Sequence, residues 1–318
     1  MRKSMTNEAV CMDIRSFAEM VSRAVSEELG ESCQVKLQEI MKNNGVILQG
    51  LVILTGKKNL SPTIYLNSFL EAYAAGIPLT AIVSKILEIY RSDMPAGNID
   101  MNFFREFDRV CSGICYRVVN RNRNRVLLER IPHIDFLDLS ICFFYAYQSD
   151  VLGSGSILIY NSHMEMWNCS TETLMQLAQD NTERLYPWEV HRMEDLLSEA
   201  LPWEEQETGG LSSGEEDEAE SVPMRVLCNT QRIYGATCMI YPGVLHTLAE
   251  EAGENLYILP SSVHEILLMP ESEVDDTKYL QAMIREVNST QVEPEEILSD
   301  NLYYYNRLEK RVEIVDCK

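Results

Sequence analysis

Histidines that stand beside acidic residues are the side chains of this chain best suited to acid–base or metal chemistry. Three of the five histidines are followed by an acid within two positions, and the pairs are His133 with Asp135, His163 with Glu165, and His264 with Glu265. Imidazole and carboxylate together are a common zinc donor set, and residues two apart in a strand share a face. However, His264 and Glu265 are adjacent and would point to opposite faces of an extended chain, and no two histidines have helical i, i+4 spacing. We therefore interpret the histidines as structural and expect neither a metal ion nor a cofactor.

The segment PSSVHE (260–265) contains the residue types of a Ser-His-acid hydrolase. Ser261 or Ser262 would be the nucleophile. His264 would be the general base, and Glu265 would orient it. Because side chains diverge along an extended segment, these groups cannot all converge, and a histidine from elsewhere in the chain would be needed. The favoured alternative is a Pro-Ser-Ser turn whose hydroxyls satisfy backbone amides.

One basic cluster occurs in RVVNRNRNRVLLER (117–130), where Glu129 is the single acid. Arg121, Arg123 and Arg125 are candidate contacts for an anion or RNA, since guanidinium groups suit phosphate. No aromatic residue interleaves the arginines from residue 121 on, as a base-stacking surface would require. A solvated face, or a surface that docks an acidic segment of the same chain, is the preferred interpretation.

The composition disfavours acidic partners and a secreted location. The net charge is −22, whereas nucleic acids and anionic membranes are bound by clustered Lys and Arg, so we expect neither as a partner. The nine cysteines are odd in number and partly lie in apolar runs, which is typical of free thiols in a reducing compartment. The N-terminus lacks a secretory signal pattern, and no apolar run reaches membrane-spanning length. We therefore expect a cytoplasmic protein.

The stretch WEEQETGGLSSGEEDEAESV (203–222) divides the chain. It carries eight acidic residues and no basic one, and its Gly, Ser and Glu content is too polar to order itself by burial. We predict a disordered acidic linker that joins an N-terminal α+β body over 1–202 to a C-terminal α+β unit over 223–318.

Hydrophobic periodicity predicts an α+β protein with mainly antiparallel hairpins in both lobes. Apolar residues at helical spacing predict a helix over 14–29 that stops at Gly30. The segments 33–41 and 46–55 predict a hairpin around Asn43-Asn44-Gly45. Further strand pairs are expected near 256–270 and 302–315.

Four further elements are predicted from local patterns. The nearly continuous apolar run 135–147 predicts a central strand, and a further strand is expected near GATCMIY (235–241). Pro187 predicts the start of a helix that contains His191. His246 is also placed in a helix, over 242–253.

Several segments resemble an uncharacterised domain-of-unknown-function family of Firmicutes, whose members have an N-terminal body, an acidic spacer and a C-terminal unit. The segments are KNNGVILQGLVI (42–53), SPTIYLNSF (61–69), PHIDFLDLSICFF (132–144), ILIYNSHMEMW (157–167), YGATCMIYPGVL (234–245), YILPSSVHEILLMP (257–270) and EVNSTQVEPEEILSDNLYYYN (286–306). More distantly, the order of elements resembles the uncharacterised YtpQ-like family. The resemblance implies a cytoplasmic bacterial protein and supplies no activity, cofactor or catalytic residue.

The absence of a specific catalytic motif favours a non-enzymatic binding protein whose partner is another protein or a small ligand. The candidate polar site consists of two turns, Asn161, Ser162 and His163 in NSH, and Ser261, Ser262, His264 and Glu265 in PSSVHE. The alternative is a hydrolase or metal-dependent enzyme assembled across the two lobes from His163, His264 and Glu265. Convergence of those three side chains in one pocket would favour the enzyme.

Overall fold

The computed structural model describes residues 12–56, 60–94, 101–149, 153–200, 224–260 and 262–316. The chain forms two compact units, one comprising Met1–Phe103 with Gln148–Gly155 and the other Phe104–Tyr147 with Ser156–Lys318. Helices and antiparallel sheets occur together, which confirms the α+β class. The predicted linker 203–222 lies outside the described residues. No helix in the described ranges combines the length and apolar character that a bilayer crossing requires.

The first unit is built on one amphipathic helix and a three-stranded sheet. Helix α1 (Ile14–Leu29) begins at Asp13, whose carboxylate accepts the N–H groups of Arg15 and Ser16. It ends at Gly30, whose φ of 65° lies in the left-handed region that glycine adopts without strain. Its buried stripe consists of Phe17, Ala18, Val21 and Val25. The predicted helix is therefore confirmed at both ends.

The sheet of this unit has the order β1-β2-β3. Its strands are β1 (Cys33–Met41), β2 (Ile47–Thr55) and β3 (Thr63–Tyr65), and they are followed by helices α2 (Asn67–Ala74) and α3 (Leu79–Ser92). Strands β1 and β2 pair antiparallel from Cys33 opposite Thr55 to Met41 opposite Ile47, which confirms the predicted hairpin. The buried faces of α1, β2 and α3 meet in one apolar core.

The second unit contains a four-stranded and a six-stranded sheet. Its helices are α4 (Phe107–Val110), α5 (Arg125–Leu128), α6 (Asn161–Trp167), α7 (Thr171–Leu185), α8 (Met193–Ala200), α9 (Val244–Ala252) and α10 (Thr277–Thr290). Its strands are β4 (Ile114–Asn120), β5 (His133–Phe136), β6 (Leu139–Ser149), β7 (Gly153–Leu158), β8 (Trp188–Arg192), β9 (Arg225–Asn229), β10 (Leu256–Leu259), β11 (Ile266–Pro270), β12 (Tyr303–Asn306) and β13 (Arg311–Ile314). The last two residues of β6 and the first three of β7 are assigned to the first unit. The smaller sheet has the order β4-β6-β5, with β7 also paired to β6.

The six-stranded sheet has the order β13-β12-β10-β11-β9-β8, with antiparallel neighbours throughout. Strand β8 precedes residues 203–222 and β9 follows them, yet the two strands are hydrogen-bonded neighbours. The division at 203–222 therefore differs from the unit boundary of the structure, because this sheet draws strands from both sides of the acidic stretch. The hairpins β10–β11 and β12–β13 are confirmed.

Three local predictions are wrong. The run 135–147 forms two strands, because Leu137 takes a left-handed φ of 54° and turns the chain between β5 and β6. The residues after Pro187 form strand β8, so His191 lies in a strand; the helix starts only at Met193. The segment 235–241 is mainly a 3₁₀ helix over Gly235–Ile240, whose first residue packs so closely on the His264 carbonyl that a side chain has no room.

Asp138, at the turn between β5 and β6, accepts hydrogen bonds from three side chains of the second unit. Its Oδ2 accepts the Ser299 hydroxyl at 2.6 Å and the Asn301 amide at 3.0 Å. Its Oδ1 accepts the Tyr303 hydroxyl at 2.6 Å. Burial, followed by the Asp138 charge, raises the pKa of Tyr303, so the phenol stays protonated and donates. One carboxylate thus fixes the β5–β6 turn to the segment that leads into β12.

We predict that Asp138→Asn lowers the free energy of unfolding by about 2 kcal/mol, because hydrogen bonds to a charged acceptor each contribute about 1.5–3 kcal/mol. Urea unfolding followed by tryptophan fluorescence measures the effect in the second unit, since residues 1–103 contain no tryptophan. Asp180→Asn on the exposed face of α7 removes the same charge and should change stability by less than about 0.5 kcal/mol. Equal effects of the two variants would contradict the role of Asp138.

The cysteines of the described segments are all free thiols, and there are seven of them. Burial raises the pKa of Cys115, Cys142, Cys228 and Cys238 to about 12 in each case. Since the thiolate is the reactive form, these thiols should be inert at neutral pH.

We expect iodoacetamide at pH 8 to modify the half-buried Cys33 and Cys111 much faster than the four buried cysteines in the metal-free native protein. The physical reason is that burial both shields the sulfur atoms and suppresses their ionisation. Peptide mass spectrometry after timed quenching gives the rates, and labelling in urea is the control in which all sites should react. Native labelling of Cys228 as fast as Cys33 would contradict this account.

Candidate metal centre

Strands β8 and β9 place a carboxylate, an imidazole and a thiol on one face of the six-stranded sheet. Glu189 lies directly opposite Cys228 in the antiparallel register. His191 is two residues beyond Glu189 on β8, and side chains two apart in a strand project to the same face. The local strand geometry alone therefore brings all three side chains together.

Their ligand atoms lie close to one another. His191 Nε2 is 3.1 Å from Glu189 Oε1, and the Cys228 Sγ–H donates to the same oxygen at 3.6 Å. All three ligand atoms lie within 4.8 Å of one another. His191 Nε2 is shielded from solvent, and its 3.1 Å contact with Glu189 Oε1 is not aligned as a hydrogen bond. An imidazole nitrogen in this state can accept a metal bond.

The protonation states follow from burial and charge. Burial, reinforced by the nearby Glu189 and then Glu265 carboxylates, raises the pKa of Cys228 to about 12. The neighbouring His191 imidazole, together with the Cys228 thiol, lowers the pKa of Glu189. The metal-free group is therefore a neutral thiol beside an ionised carboxylate. A bound cation would displace the thiol proton, since the thiolate is the metal ligand.

One sulfur, one nitrogen and one oxygen donor form a set typical of zinc and similar divalent transition metals. Calcium and magnesium select oxygen ligands instead. Three protein ligands are one fewer than the four of a closed structural zinc site, so this arrangement leaves room for one more ligand. Glu189 and His191 keep about 28% and 32% of their side-chain surface exposed, which leaves a route from solvent to the group.

The local pattern around His191 predicts a helix, so the sequence does not indicate this group. Helical residues two apart do not share a face, whereas the alternation in WEVHR (188–192) would have paired Glu189 with His191 if the segment had been taken as a strand. The contribution of Cys228 depends on a pairing across more than thirty residues of chain. No local pattern signals it.

In the described part of the predicted PSSVHE site, hydrogen bonds to neighbouring residues engage the Ser262 hydroxyl. The Ser262 hydroxyl donates to Glu265 Oε1 at 2.7 Å and accepts the backbone N–H of His264 at 3.0 Å. The His264 ring stacks on Tyr234 with centroids 6.2 Å apart, and its Nε2 lies 3.5 Å from Glu296. Ser261 lies outside the described residues. Ser262 is therefore engaged by its own turn and is not aligned with the His264 ring.

Glu265 nevertheless lies beside the metal-ligand group. Ile266 pairs with Leu227 on β9. The antiparallel register therefore places the preceding residue, Glu265, opposite Cys228. Its charge is one of the contributions that raise the pKa of Cys228. Glu265, which belongs to the site predicted from the sequence, thus lies next to the metal-ligand group, which the sequence did not indicate.

The predicted NSH turn is the first turn of helix α6 instead. Asn161 donates through its side chain to the Glu129 carbonyl at 3.3 Å, and Ser162 is exposed. His163 Nδ1 accepts the Tyr160 backbone N–H at 3.1 Å, and its ring packs edge-on against Phe104 at 5.0 Å. Burial lowers the pKa of His163, which favours the neutral ring that this hydrogen bond requires.

His163 and His264 do not share a contact. His163 packs against Phe104, Tyr160 and Trp167. His264 contacts Tyr234 and Glu296, as described above, and in the described part of the chain neither histidine has the other, or a common residue, among its partners. The two histidines therefore do not form a shared catalytic cluster.

The arginines of the basic cluster have local partners. Arg121 pairs with Asp135 at 3.0 Å, and Arg123 pairs with Asp300 at 3.0 Å. Arg125 donates to the Asn122 side chain at 3.3 Å. Two of the three guanidinium groups are thus neutralised by carboxylates of the same chain, which leaves little free charge for an anion.

Comparison with known proteins gives a family but no function. Neither the curated proteins nor the solved structures include a match to this chain. A family model described as a family of unknown function, DUF5688, matches residues 14–307. The match agrees with the resemblance to an uncharacterised domain family, while the origin in Firmicutes and the relation to YtpQ-like proteins stay predictions. Since the matched region covers far more than half of the sequence, the chain belongs to the DUF5688 family of unknown function.

Proposed function

We propose that this protein is a binding protein whose ligand is a divalent transition-metal ion of the zinc class, held by Glu189, His191 and Cys228. The observation that carries the proposal is the convergence of three different donor atoms within 4.8 Å on one sheet face. The shielded Nε2 of His191 supports it further, because its contact with Glu189 is not aligned as a hydrogen bond and a bound cation would satisfy the nitrogen.

A binding role is favoured over the hydrolase built from His163, His264 and Glu265. His163 contributes its ring nitrogen to the start of α6 and its ring face to an aromatic cluster. Ser262 uses its hydroxyl within its own turn. These contacts account for the His163 Nδ1 and the Ser262 hydroxyl without a substrate.

The charge of the chain and the Cys228 thiol also bear on its other partners and on its location. Nucleic acid remains a disfavoured partner, since the net charge is −22 and Arg121 and Arg123 are ion-paired. A protein partner or a second small ligand remains compatible with a metal-binding role. We place the protein in the cytoplasm, where a ligating thiol such as that of Cys228 stays reduced.

We predict that the full-length protein, stripped of metal, binds one Co²⁺ with a thiolate-to-cobalt charge-transfer band and that Zn²⁺ displaces it. Cys228→Ser should abolish the band, and His191→Ala should weaken Zn²⁺ binding by at least roughly 100-fold, because each removes a direct ligand. Ultraviolet–visible titration and competition with a zinc chelator measure both effects.

Cys169→Ser and His133→Ala are matched controls that remove a thiol and an imidazole elsewhere in the second unit. Both should retain the band and the affinity of the wild type. A band that survives Cys228→Ser, or one that disappears in Cys169→Ser, would show that this group is not the binding site.

A separate variant tests the structural role of His163. We expect His163→Ala to lower the free energy of unfolding by about 1–3 kcal/mol, because it removes a helix-start hydrogen bond and aromatic packing. Its Zn²⁺ affinity should equal that of the wild type. Urea unfolding and the same metal titration provide the two readouts, and a lost affinity with unchanged stability would reinstate His163 as a functional residue.

A further inference from the structure

A second candidate site lies in the second unit, far along the six-stranded sheet from the metal-ligand strands. A cleft of about 560 Å³ is bounded by the 3₁₀ helix Gly235–Ile240, by α9 and by the β12–β13 hairpin. This volume falls in the range of roughly 300–1,000 Å³ that is usual for small-molecule sites. The cleft shares no lining residue with Glu189, His191 or Cys228.

The walls of the cleft are mainly apolar. They include Phe136, Ile141, Met175, Met239 and Leu245, of which Ile141, Met239 and Leu245 are buried. Methionine side chains adapt to ligands of different shape, and two of them line this cleft. The interior therefore suits an alkyl or aryl group.

The charged residues of the cleft are all basic. Lys310 and Arg311 line it, and no Asp or Glu does, although the chain has 49 acidic against 27 basic residues. Arg311 is paired with Glu309 and Glu313 at 2.9 and 3.2 Å. Lys310 has no ion-pair partner within the described residues. The Lys310 ammonium group thus contributes an uncompensated positive charge to an apolar cleft of a strongly acidic protein.

The backbone at Lys310 is also unusual. Its φ of 52° is left-handed, and it ends the turn between β12 and β13, where glycine adopts this conformation without strain. A lysine here retains a cationic side chain at the cleft at some cost in backbone strain. Strained residues of this kind cluster at ligand sites.

We propose that this cleft binds a small organic anion with an apolar body, a monocarboxylate with an alkyl or aryl chain, and that Lys310 pairs with its carboxylate. The apolar walls enclose the body of the ligand, while the ammonium group selects the charged end. The proposal stands apart from metal binding, because the two sites have no residue in common.

Isothermal titration calorimetry of the full-length protein with octanoate and with octanamide tests the proposal. Octanoate should bind, and the neutral octanamide, which has the same chain, should bind at least about tenfold more weakly. Lys310→Gln should reduce octanoate affinity about tenfold and leave octanamide affinity unchanged. Lys36→Gln, which removes an exposed lysine of the first unit, should change neither.

Two further variants separate loss of the site from loss of the fold. Lys310→Gly removes the ammonium group and relieves the left-handed strain, so it should weaken octanoate binding while the melting temperature is kept or raised. Met175→Trp should fill the cleft and block both probes. Failure of octanoate to bind, equal affinity for the two probes, or identical behaviour of Lys310→Gln and Lys36→Gln would overturn the proposal.

Discussion

The antiparallel register between β8 and β9 is the constraint on which the candidate metal centre depends. Because side chains alternate along a strand, a shift of β8 by one residue would carry Glu189 and His191 to the opposite face from Cys228. The observed register places Glu189 opposite Cys228 and Val190 opposite Leu227. The same pairing joins chain segments from both sides of the acidic stretch 203–222 into one sheet, so the centre exists only in the folded second unit.

Within that unit, specific hydrogen bonds hold buried polar groups in an otherwise largely apolar interior. Asp138 collects three side-chain donors from the segment before and within β12. Hydrogen bonds from Ser262 connect Glu265 and the backbone of His264, and this segment lies next to Cys228. The thiol of Cys228 is kept neutral by burial and by neighbouring carboxylates. A divalent cation would compensate those carboxylates, which is the physical reason why this acidic, sulfur-containing group suits a metal.

Elements whose stability is decided locally could be predicted from the sequence. Helix α1 has a stripe at helical spacing, an Asp N-cap and a glycine at its end, and the β1–β2 hairpin has turn residues between two apolar segments. The secondary-structure predictions were wrong where tertiary contacts override the local sequence pattern. Pro187 and the apolar residues after it suggested a helix, but pairing with β9 makes the first five residues a strand. Because of that error, His191 was not identified as a ligand. Glu265 was identified from its sequence neighbours, but the sequence did not indicate that it lies next to Cys228.

X-ray absorption spectroscopy of the zinc-loaded wild-type protein tests the proposed metal centre most directly, because it identifies and counts the atoms bound to the metal. We predict a four-coordinate ion with one sulfur at about 2.3 Å and nitrogen or oxygen ligands at about 2.0–2.2 Å. An ion surrounded only by oxygen and nitrogen, with no sulfur at bonding distance, would contradict the assignment of Glu189, His191 and Cys228 as the metal centre.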